Sequence, residues 1–350
     1  MIGAEILLYA GMRFVATWFT PIMWTGYIIF ADALIAHRTG QSWLTTRRRE
    51  FGFLAVLSVL SWLIFEAYNL KLKNWAYIGV PTVQWQFDLG MFWSFATITP
   101  AIFQTAGLLE AWWPVGSTDG TKDSKNPPPH PQYPFHPLTK NLGSVLSLVG
   151  LAFVVIPAAL PDRLAPYTFG FVWLGFIGLL EPINLRTGQP SLLQDWRERR
   201  GARIWRWLAS GLICGFIWEA WNVQTLAHGG AGWLYTMPAL IHNLIFGLHY
   251  GKMPVAGLLG FPPFAWECFA LYYFLRSLLR LEHWLPQRVY PARPARLCPF
   301  RRRISSGRQL HPCDCRRTIR GASKGGPYVP SYPHRLRRLG QRQESTRVCH

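Results

Sequence analysis

The chain has 350 residues, of which 50% are hydrophobic, 15% are aromatic and only 15% are charged. About 25% of the residues of an ordinary soluble domain carry charge, so this composition disfavours a soluble enzyme. The formal net charge of +19 is uneven, because residues 286–350 hold 16 Lys and Arg against two Asp and Glu, while residues 1–285 hold 20 and 15. The sequence therefore joins a mildly basic, apolar part to a strongly basic tail.

Seven apolar stretches of the first part are long enough to cross the hydrocarbon core of a bilayer, which takes about 20 helical residues. The first stretch lacks the basic n-region and the cleavage site of a signal peptide, so we interpret it as a spanning helix. The sequence predicts an all-α integral membrane protein in contact with the lipid bilayer. Its predicted spans are residues 14–36, 51–70, 89–110, 144–161, 166–183, 204–222 and 255–278.

Basic residues near the ends of the spans predict the orientation. Arginines cluster after span 1, after span 5 and at the end of span 7, whereas the loops after spans 2, 4 and 6 hold few Lys and Arg. Because basic loops stay on the cytoplasmic side, we expect the N-terminus outside and the C-terminus in the cytoplasm, in a bacterial inner membrane. An eighth span near 237–249 would break this agreement, so we interpret residues 237–250 as an interfacial or re-entrant segment.

Similar short signatures occur in the same order in spans 1–3 and in spans 5–7. Spans 1 and 5 share Trp-x-Gly, then an acidic residue, then Arg-Thr-Gly-Gln. Spans 2 and 6 end in Glu-Ala-Tyr-Asn and Glu-Ala-Trp-Asn, each followed by Trp-x-Tyr, and spans 3 and 7 share a proline three residues before an aromatic residue. This order predicts an internal duplication, a 3+1+3 parallel repeat with a cavity between its halves.

The repeat gives the predicted domain boundaries. Residues 1–285 form a seven-helix membrane domain, in which a Pro-rich loop at 113–143 precedes a linker helix at 144–161. Residues 286–350 form a disordered, Arg-rich tail. The first three-helix repeat covers 12–112 and the second covers 166–285.

The tail allows several interpretations. Its arginines, among them Arg301, suit contact with anionic lipid headgroups or with RNA without specificity, so we expect no specific nucleic acid. Cys313 and Cys315 lack a second cysteine pair, which makes a zinc site a weak hypothesis. The abrupt change to Arg, Pro, Cys, Ser and Gly is also typical of an out-of-frame reading.

Ionisable residues inside spans are candidates for function, because a charge that faces lipid is costly. Glu66 and Asn69 share a helix face, as do Glu219 and Asn222, and both pairs are predicted near the outer ends of their spans. The alternative is that Glu66 and Glu219 are hydrogen-bonded residues between helices. The acidic residues Asp32 and Glu181 are expected at the cytoplasmic interface.

Glu267 is predicted nearer the middle of the membrane, and its repeat mate is Gln104. A carboxyl group at this depth could act as a general acid toward a substrate without polar groups. Trp218 and Trp266 lie within a turn of the acidic residues, and aromatic faces stabilise cations and line apolar pockets. We therefore predict that Trp218, Trp266, Gln104 and the two asparagines bind substrate.

The whole pattern resembles the membrane-integral lycopene cyclases and, more loosely, the fungal membrane terpene cyclases. The resemblance rests on two parallel three-helix units, on the Trp-x-Tyr loops and on a closing helix in which Gly260-Phe-Pro-Pro precedes Glu267. It implies a cyclase, an intramolecular lyase or isomerase of isoprenoids or carotenoids that uses no cofactor. By the same resemblance Glu267 is the proton donor, Glu66 and Glu219 are counter-charges or a proton relay, and Asn69 and Asn222 orient them.

Two other classes of function stay open. A small-solute transporter or channel of 3+1+3 architecture would suit the prolines inside the spans. A membrane scaffold would show neither chemistry nor flux. His242 and His249 lie seven residues apart, a spacing that suits either a metal pair or two hydrogen-bonded histidines. We expect neither a metal nor a cofactor.

Overall fold

The computed structural model describes residues 1–113 and 137–281, which are mostly helical. Most of the predicted Pro-rich loop and all of the predicted tail lie outside the described residues. Two short antiparallel strand pairs accompany the helices, and single 3-10 turns lie at 165–167 and 245–247. The elements are α1 (Ile2–Tyr9), α2 (Arg13–Thr17), α3 (Phe19–Thr39), α4 (Arg48–Leu72), β1 (Trp75–Ile78), α5 (Gln84–Trp112), α6 (Pro137–Ala159), α7 (Phe169–Arg186), α8 (Leu192–Arg197), α9 (Gly201–Ala227), β2 (Gly232–Tyr235), α10 (Ala239–His242), β3 (His249–Tyr250), β4 (Met253–Pro254), α11 (Val255–Leu258) and α12 (Phe261–Leu278).

A long helix lies at each predicted span, and five of these segments are long and apolar enough to cross a membrane. They are α3, α4, α6, α7 and the α11–α12 segment, so the described fold is compatible with a multi-pass membrane protein. The helices α5 and α9 are not among the five. Helix α5 packs against α3, α4 and α9, and its residues 97–106 are all buried. Because such a helix faces protein rather than lipid, Thr and Gln can take the place of apolar side chains.

Large apolar side chains cover the outer surface of α4 and α6. Val56 is 59% exposed and Leu148 is 66% exposed. Continuous exposed apolar surface of this kind marks contact with lipid or with another protein. On its inner side α6 packs against α7 through small residues, since a Cβ on Gly150 would lie 2.3 Å from the Leu179 nitrogen. Glycine at this contact lets the two helix backbones approach closely.

The two Trp-x-Tyr motifs pair with each other in an antiparallel ribbon of β1 and β2. Trp75 lies opposite Tyr235, and Tyr77 lies opposite Trp233. Because side chains alternate along a strand, all four rings lie on one face of the ribbon. At its end Gly79 has a φ of 65°, and a Cβ there would lie 2.2 Å from the carbonyl oxygen of Gly230. The ribbon joins the segments that follow α4 and α9.

The loops that follow α3 and α7 are held by buried carboxylates rather than by interfacial contacts. Asp32 and Glu181, which we expected at the cytoplasmic interface, are only 4% and 1% exposed. Ser42 and Trp43 donate to Asp32 from the hydroxyl at 2.5 Å and from the backbone at 2.7 Å. The matching contacts to Glu181 come from the Ser191 hydroxyl and from the backbone of 192 and 193. Each carboxylate therefore replaces the water that these donors lose on burial.

Candidate functional site

A cavity of about 150 Å³ is covered by the β1–β2 ribbon. Residues of α2, α3, α4 and α5 line it from the first half of the chain, and residues of α7, α9 and α11–α12 line it from the second half. Twelve of its 26 lining residues are aromatic, and none is charged. The cavity is therefore suited to an apolar molecule whose surface contacts ring faces.

A second, inner cavity of about 30 Å³ lies next to the first. Four aromatic residues line both: Trp62, Trp173, Trp218 and Phe261. The inner cavity also reaches Cys214, whose side chain is buried in the core. Rearrangement of the four shared rings would thus lengthen the apolar site toward the centre of the helix bundle.

The Glu66 carboxylate lies directly behind the wall of the first cavity. Its Oε1 accepts hydrogen bonds from Trp62 Nε1 at 2.9 Å, from Trp75 Nε1 at 3.2 Å and from the Tyr77 hydroxyl at 2.5 Å. All three donors line the cavity. Asn69, one turn further along α4, accepts from the backbone N–H of Trp75 at 3.2 Å and donates to its carbonyl oxygen at 2.9 Å. The Glu-x-x-Asn motif therefore fixes both the rings and the start of β1.

Glu219 and Asn222 make the corresponding contacts in the second half. Glu219 accepts from the Tyr235 hydroxyl at 3.1 Å and from the backbone N–H of Lys252 at 2.5 Å. Asn222 accepts from the Trp233 backbone N–H at 3.0 Å and donates to its carbonyl oxygen at 3.1 Å. Both motifs hold the strand of their own half in the same way. The halves differ in their indoles, because Trp62 and Trp75 both donate to Glu66, whereas Trp233 Nε1 donates to Tyr235 at 2.9 Å and no indole of the described residues donates to Glu219.

Neither Glu66 nor Glu219 has a Lys, Arg or His within ion-pair distance among the described residues. Buried charges in proteins are normally paired, and these two carboxyl groups lie behind the cavity wall without a cation. The pKa values of Tyr77 and Tyr235 are raised well above the usual value. Burial is the larger cause, and the neighbouring carboxylate is the second. Both phenols therefore stay protonated and keep donating to the carboxylates.

Glu267 is buried on α12, with 3% of its surface exposed. Its Oε2 has no hydrogen-bond partner among the described residues, and Glu267 lines neither cavity. The neighbouring Cys268 lies 3.9 Å from the Thr99 hydroxyl. The role of Glu267 as proton donor stays a prediction.

The five predicted substrate-binding residues fall into three places. Trp218 lines both cavities, and Asn69 and Asn222 hold the ribbon that covers the first. Gln104 Nε2 donates to Asp32 at 2.9 Å, and Trp266 Nε1 donates to Glu181 at 2.7 Å, so these two belong to the loop-holding clusters.

Several lining residues are not among the site residues predicted from the sequence. The Trp-x-Tyr signature locates Trp75, Tyr77, Trp233 and Tyr235, although which face of the ribbon they take depends on the pairing. Other lining residues, such as Thr20 and Asn74, stand in no repeated signature. Only their position in the fold reveals them.

His242 and His249 meet outside the cavity. Their Nδ1 and Nε2 atoms are 3.2 Å apart, the two rings stack, and His249 Nδ1 lies 2.7 Å from the Gly247 carbonyl oxygen. Within residues 1–113 and 137–281, no three or more His, Cys, Asp or Glu side chains come together as a metal site. The two histidines thus contact each other through stacked rings.

The chain matches no known protein family, no curated protein and no solved structure. Its function is therefore inferred from the chemistry of the aromatic cavity and of the two carboxylates behind it.

Proposed function

We propose that the chain is a membrane enzyme that cyclises an apolar, isoprenoid-like molecule without a redox change, with the aromatic cavity as its substrate site. One observation carries the proposal: an uncharged aromatic cavity lies in front of two carboxyl groups, the half-buried Glu66 and the buried Glu219, that have no ion-pair partner among the described residues. A carbocation formed from an alkene keeps an apolar hydrocarbon skeleton but carries a positive charge. Aromatic faces and buried anions both stabilise such an intermediate.

The reaction needs one acid and no oxidant. A proton adds to one carbon of an alkene, a second alkene closes the ring onto the cationic carbon, and loss of a proton restores the acid. Among the three predicted catalytic carboxyls, Glu66 and Glu219 are hydrogen-bonded to lining residues, whereas Glu267 is not. We propose Glu66 and Glu219 as counter-charges of the cation. Because of these contacts we propose Glu66 rather than Glu267 as the acid, and Glu66 becomes a counter-charge once it has given up its proton.

We propose that the enzyme forms a 3+1+3 parallel repeat with seven spans. Matched contacts in the two halves of the chain support this architecture. The equivalent Trp-x-Tyr strands pair with each other, and the Glu-x-x-Asn motifs make equivalent bonds. The end of α5 lies beside the start of α9, where Glu110 and Arg206 are 3.5 Å apart. Since both helices also adjoin the ribbon at their other ends, they run the full length between the ribbon and the Arg-rich loops.

Turnover of isoprenoid alkenes by the purified protein in detergent tests the proposal. We expect Glu66→Gln to lower turnover by about 100-fold or more, the usual contribution of a general acid. Glu110→Gln is the matched control, because the exposed Glu110 lies far from the ribbon, and it should keep full turnover.

Three other results are informative. If Glu267→Gln abolishes turnover while Glu66→Gln does not, the proton donor is Glu267, as the resemblance implies. If no alkene is cyclised but a solute enters liposomes that contain the protein, the chain is a transporter. If neither occurs, the scaffold interpretation gains support and the cyclase proposal fails.

A further inference from the structure

Two histidines face each other on a segment that the proposed cyclase chemistry does not use. His242 ends α10 and His249 begins β3, and neither residue lines either cavity. Their Nδ1 and Nε2 atoms are 3.2 Å apart, and the planes of the two rings differ by 24°. Two ring nitrogens this close can share one proton, or they can bind one metal ion in its place.

The tautomer of His249 is set by the backbone. Its Nδ1 lies 2.7 Å from the Gly247 carbonyl oxygen, which can only accept, so Nδ1 carries the proton. In the neutral ring Nε2 then keeps its lone pair, and this is the nitrogen that contacts His242. A ring N–H bonded to a backbone carbonyl is the usual outer contact of a metal-binding histidine, because it fixes the ring and makes the other nitrogen a better ligand.

The distance between the two nitrogens and their chemistry restrict the ion. An ion about 2.0–2.1 Å from both nitrogens would make an N–metal–N angle of about 100°, which lies between the octahedral and the tetrahedral values. Both side chains reach solvent, so the rings can turn toward an ion that replaces the shared proton. Imidazole nitrogens suit Ni²⁺, Cu²⁺ and Zn²⁺, whereas Mg²⁺ and Ca²⁺ take oxygen ligands.

We propose that His242 and His249 form a two-histidine site for a divalent transition-metal ion, with water in the remaining coordination positions. Within residues 1–113 and 137–281 no third His, Cys, Asp or Glu joins them, so the site is open and differs from a closed structural zinc site. The sequence alone led us to expect no metal, and the contact between the rings and the backbone bond of His249 change that expectation. A bound ion would tie α10 to β3, which pairs with the cavity-lining Met253.

Nickel binding by the untagged, full-length chain in detergent tests the site. The four tail cysteines are replaced by serine in every protein, because thiolates would bind the same ion. Calorimetry with nickel chloride measures the affinity. We expect His242→Gln and His249→Gln each to weaken binding by about tenfold or more, since loss of an outer contact alone costs 10- to 100-fold and each variant loses a ligand.

His228→Gln is the matched control. His228 Nδ1 also lies 2.8 Å from a backbone carbonyl oxygen, that of Gln224, but the ring contacts Tyr9 and no second histidine among the described residues. This variant should bind nickel as tightly as the protein that keeps all its histidines. Equal nickel affinity in all four proteins would overturn the proposal, and so would a loss in His228→Gln as large as in His249→Gln.

Electron paramagnetic resonance with Cu²⁺ gives a second measurement that does not depend on how the variants fold. One equivalent of Cu²⁺, added to the protein that keeps all its histidines, should show coupling to two imidazole nitrogens. Coupling to one nitrogen or to none would overturn the proposal. Neither measurement involves turnover or the cavity, so the site can be present without a cyclase, and a cyclase without the site.

Discussion

Single hydroxyl groups hold the loops after α3 and α7. Ser42 and Ser191 each donate to a buried carboxylate, and removal of either hydroxyl leaves that carboxylate one partner short. We expect Ser42→Ala and Ser191→Ala to lower the free energy of unfolding by about 1–3 kcal/mol each. The thermal unfolding midpoint in detergent measures the loss. Ser147→Ala is the control, because Ser147 bonds only to the Gly143 carbonyl of its own helix, and its midpoint should not change.

The two ribbon tyrosines, Tyr77 and Tyr235, make the stability of the folded protein depend on pH in the alkaline range. Their pKa values are raised in the folded protein by burial and then by the neighbouring carboxylates, so the folded state binds more protons than the unfolded state above about pH 10. The stability that they contribute is complete below the unfolded pKa and is lost as the pH rises toward the folded pKa. We expect the unfolding midpoint to fall above about pH 10, and to fall less in the double variant Tyr77→Phe, Tyr235→Phe. Exposed Tyr167→Phe should keep the wild-type slope, and an identical slope in all three proteins would contradict the assignment.

At this scale the sequence predicted part of the site. Glu66, Glu219, Asn69 and Asn222 stand out, because a polar residue in an apolar span needs a partner. Thr20 and Asn74 do not stand out, because Thr and Asn are ordinary residues at span ends, and the Trp-x-Gly signature that contains Trp173 does not show that its ring lines a cavity. They line the cavity because of the way the helices and the ribbon pack, which the sequence pattern alone does not disclose.

Among the elements, the ribbon depends on the close approach of two glycines. A Cβ at Gly79 would overlap the Gly230 carbonyl, and the φ of 65° is also unfavourable for other residues. Gly79→Ala should therefore lower the unfolding midpoint more than Gly40→Ala, whose φ of 71° is similar but whose Cβ would meet no atom within 4 Å. The backbone strain common to both is about 1–2 kcal/mol. An equal fall of the unfolding midpoint in both variants would show that the ribbon accommodates a Cβ at Gly79 without loss of stability.

The helices were easier to predict than the strands. Long apolar runs require helices in a membrane, since every backbone group must bond within its own segment. The strands hold four residues each, and β1 finds its partner about 160 positions along the chain, at β2. No local pattern predicts such pairing. The two Trp-x-Tyr motifs follow the Glu-x-x-Asn ends of α4 and α9, and these two helix ends lie side by side at the ribbon.

At the scale of the whole molecule, the ribbon and the arginine-rich loops lie at opposite ends of the helices. The segments after α4 and α9 meet in the ribbon. The start of α4 contacts the C-terminal half of α12 through Glu50 and Tyr272, at the other end. In the orientation that the basic loops predict, the ribbon and its cavity face outside. A substrate would then enter the cavity from the outer leaflet.

Cysteine labelling tests both the orientation and the number of spans. In a variant whose tail cysteines are replaced by serine, the remaining Cys214 and Cys268 are buried and should not react. A membrane-impermeant maleimide should label Thr82→Cys and Thr236→Cys in intact bacterial spheroplasts. Trp113→Cys and Thr187→Cys should react only after lysis, because α5 separates Thr82 from Trp113 and α9 separates Thr187 from Thr236.

The pattern of labelling separates the possible outcomes. Labelling of Thr82→Cys and Trp113→Cys from the same side would mean that α5 does not cross the bilayer, and the same comparison of Thr187→Cys with Thr236→Cys decides for α9. An exactly reversed pattern would keep the seven spans and place the cavity in the cytoplasmic leaflet. Detergent-solubilised protein is the control, since all four exposed positions must react there. We expect α5 and α9 to cross, because the helices around them shield their polar side chains from lipid.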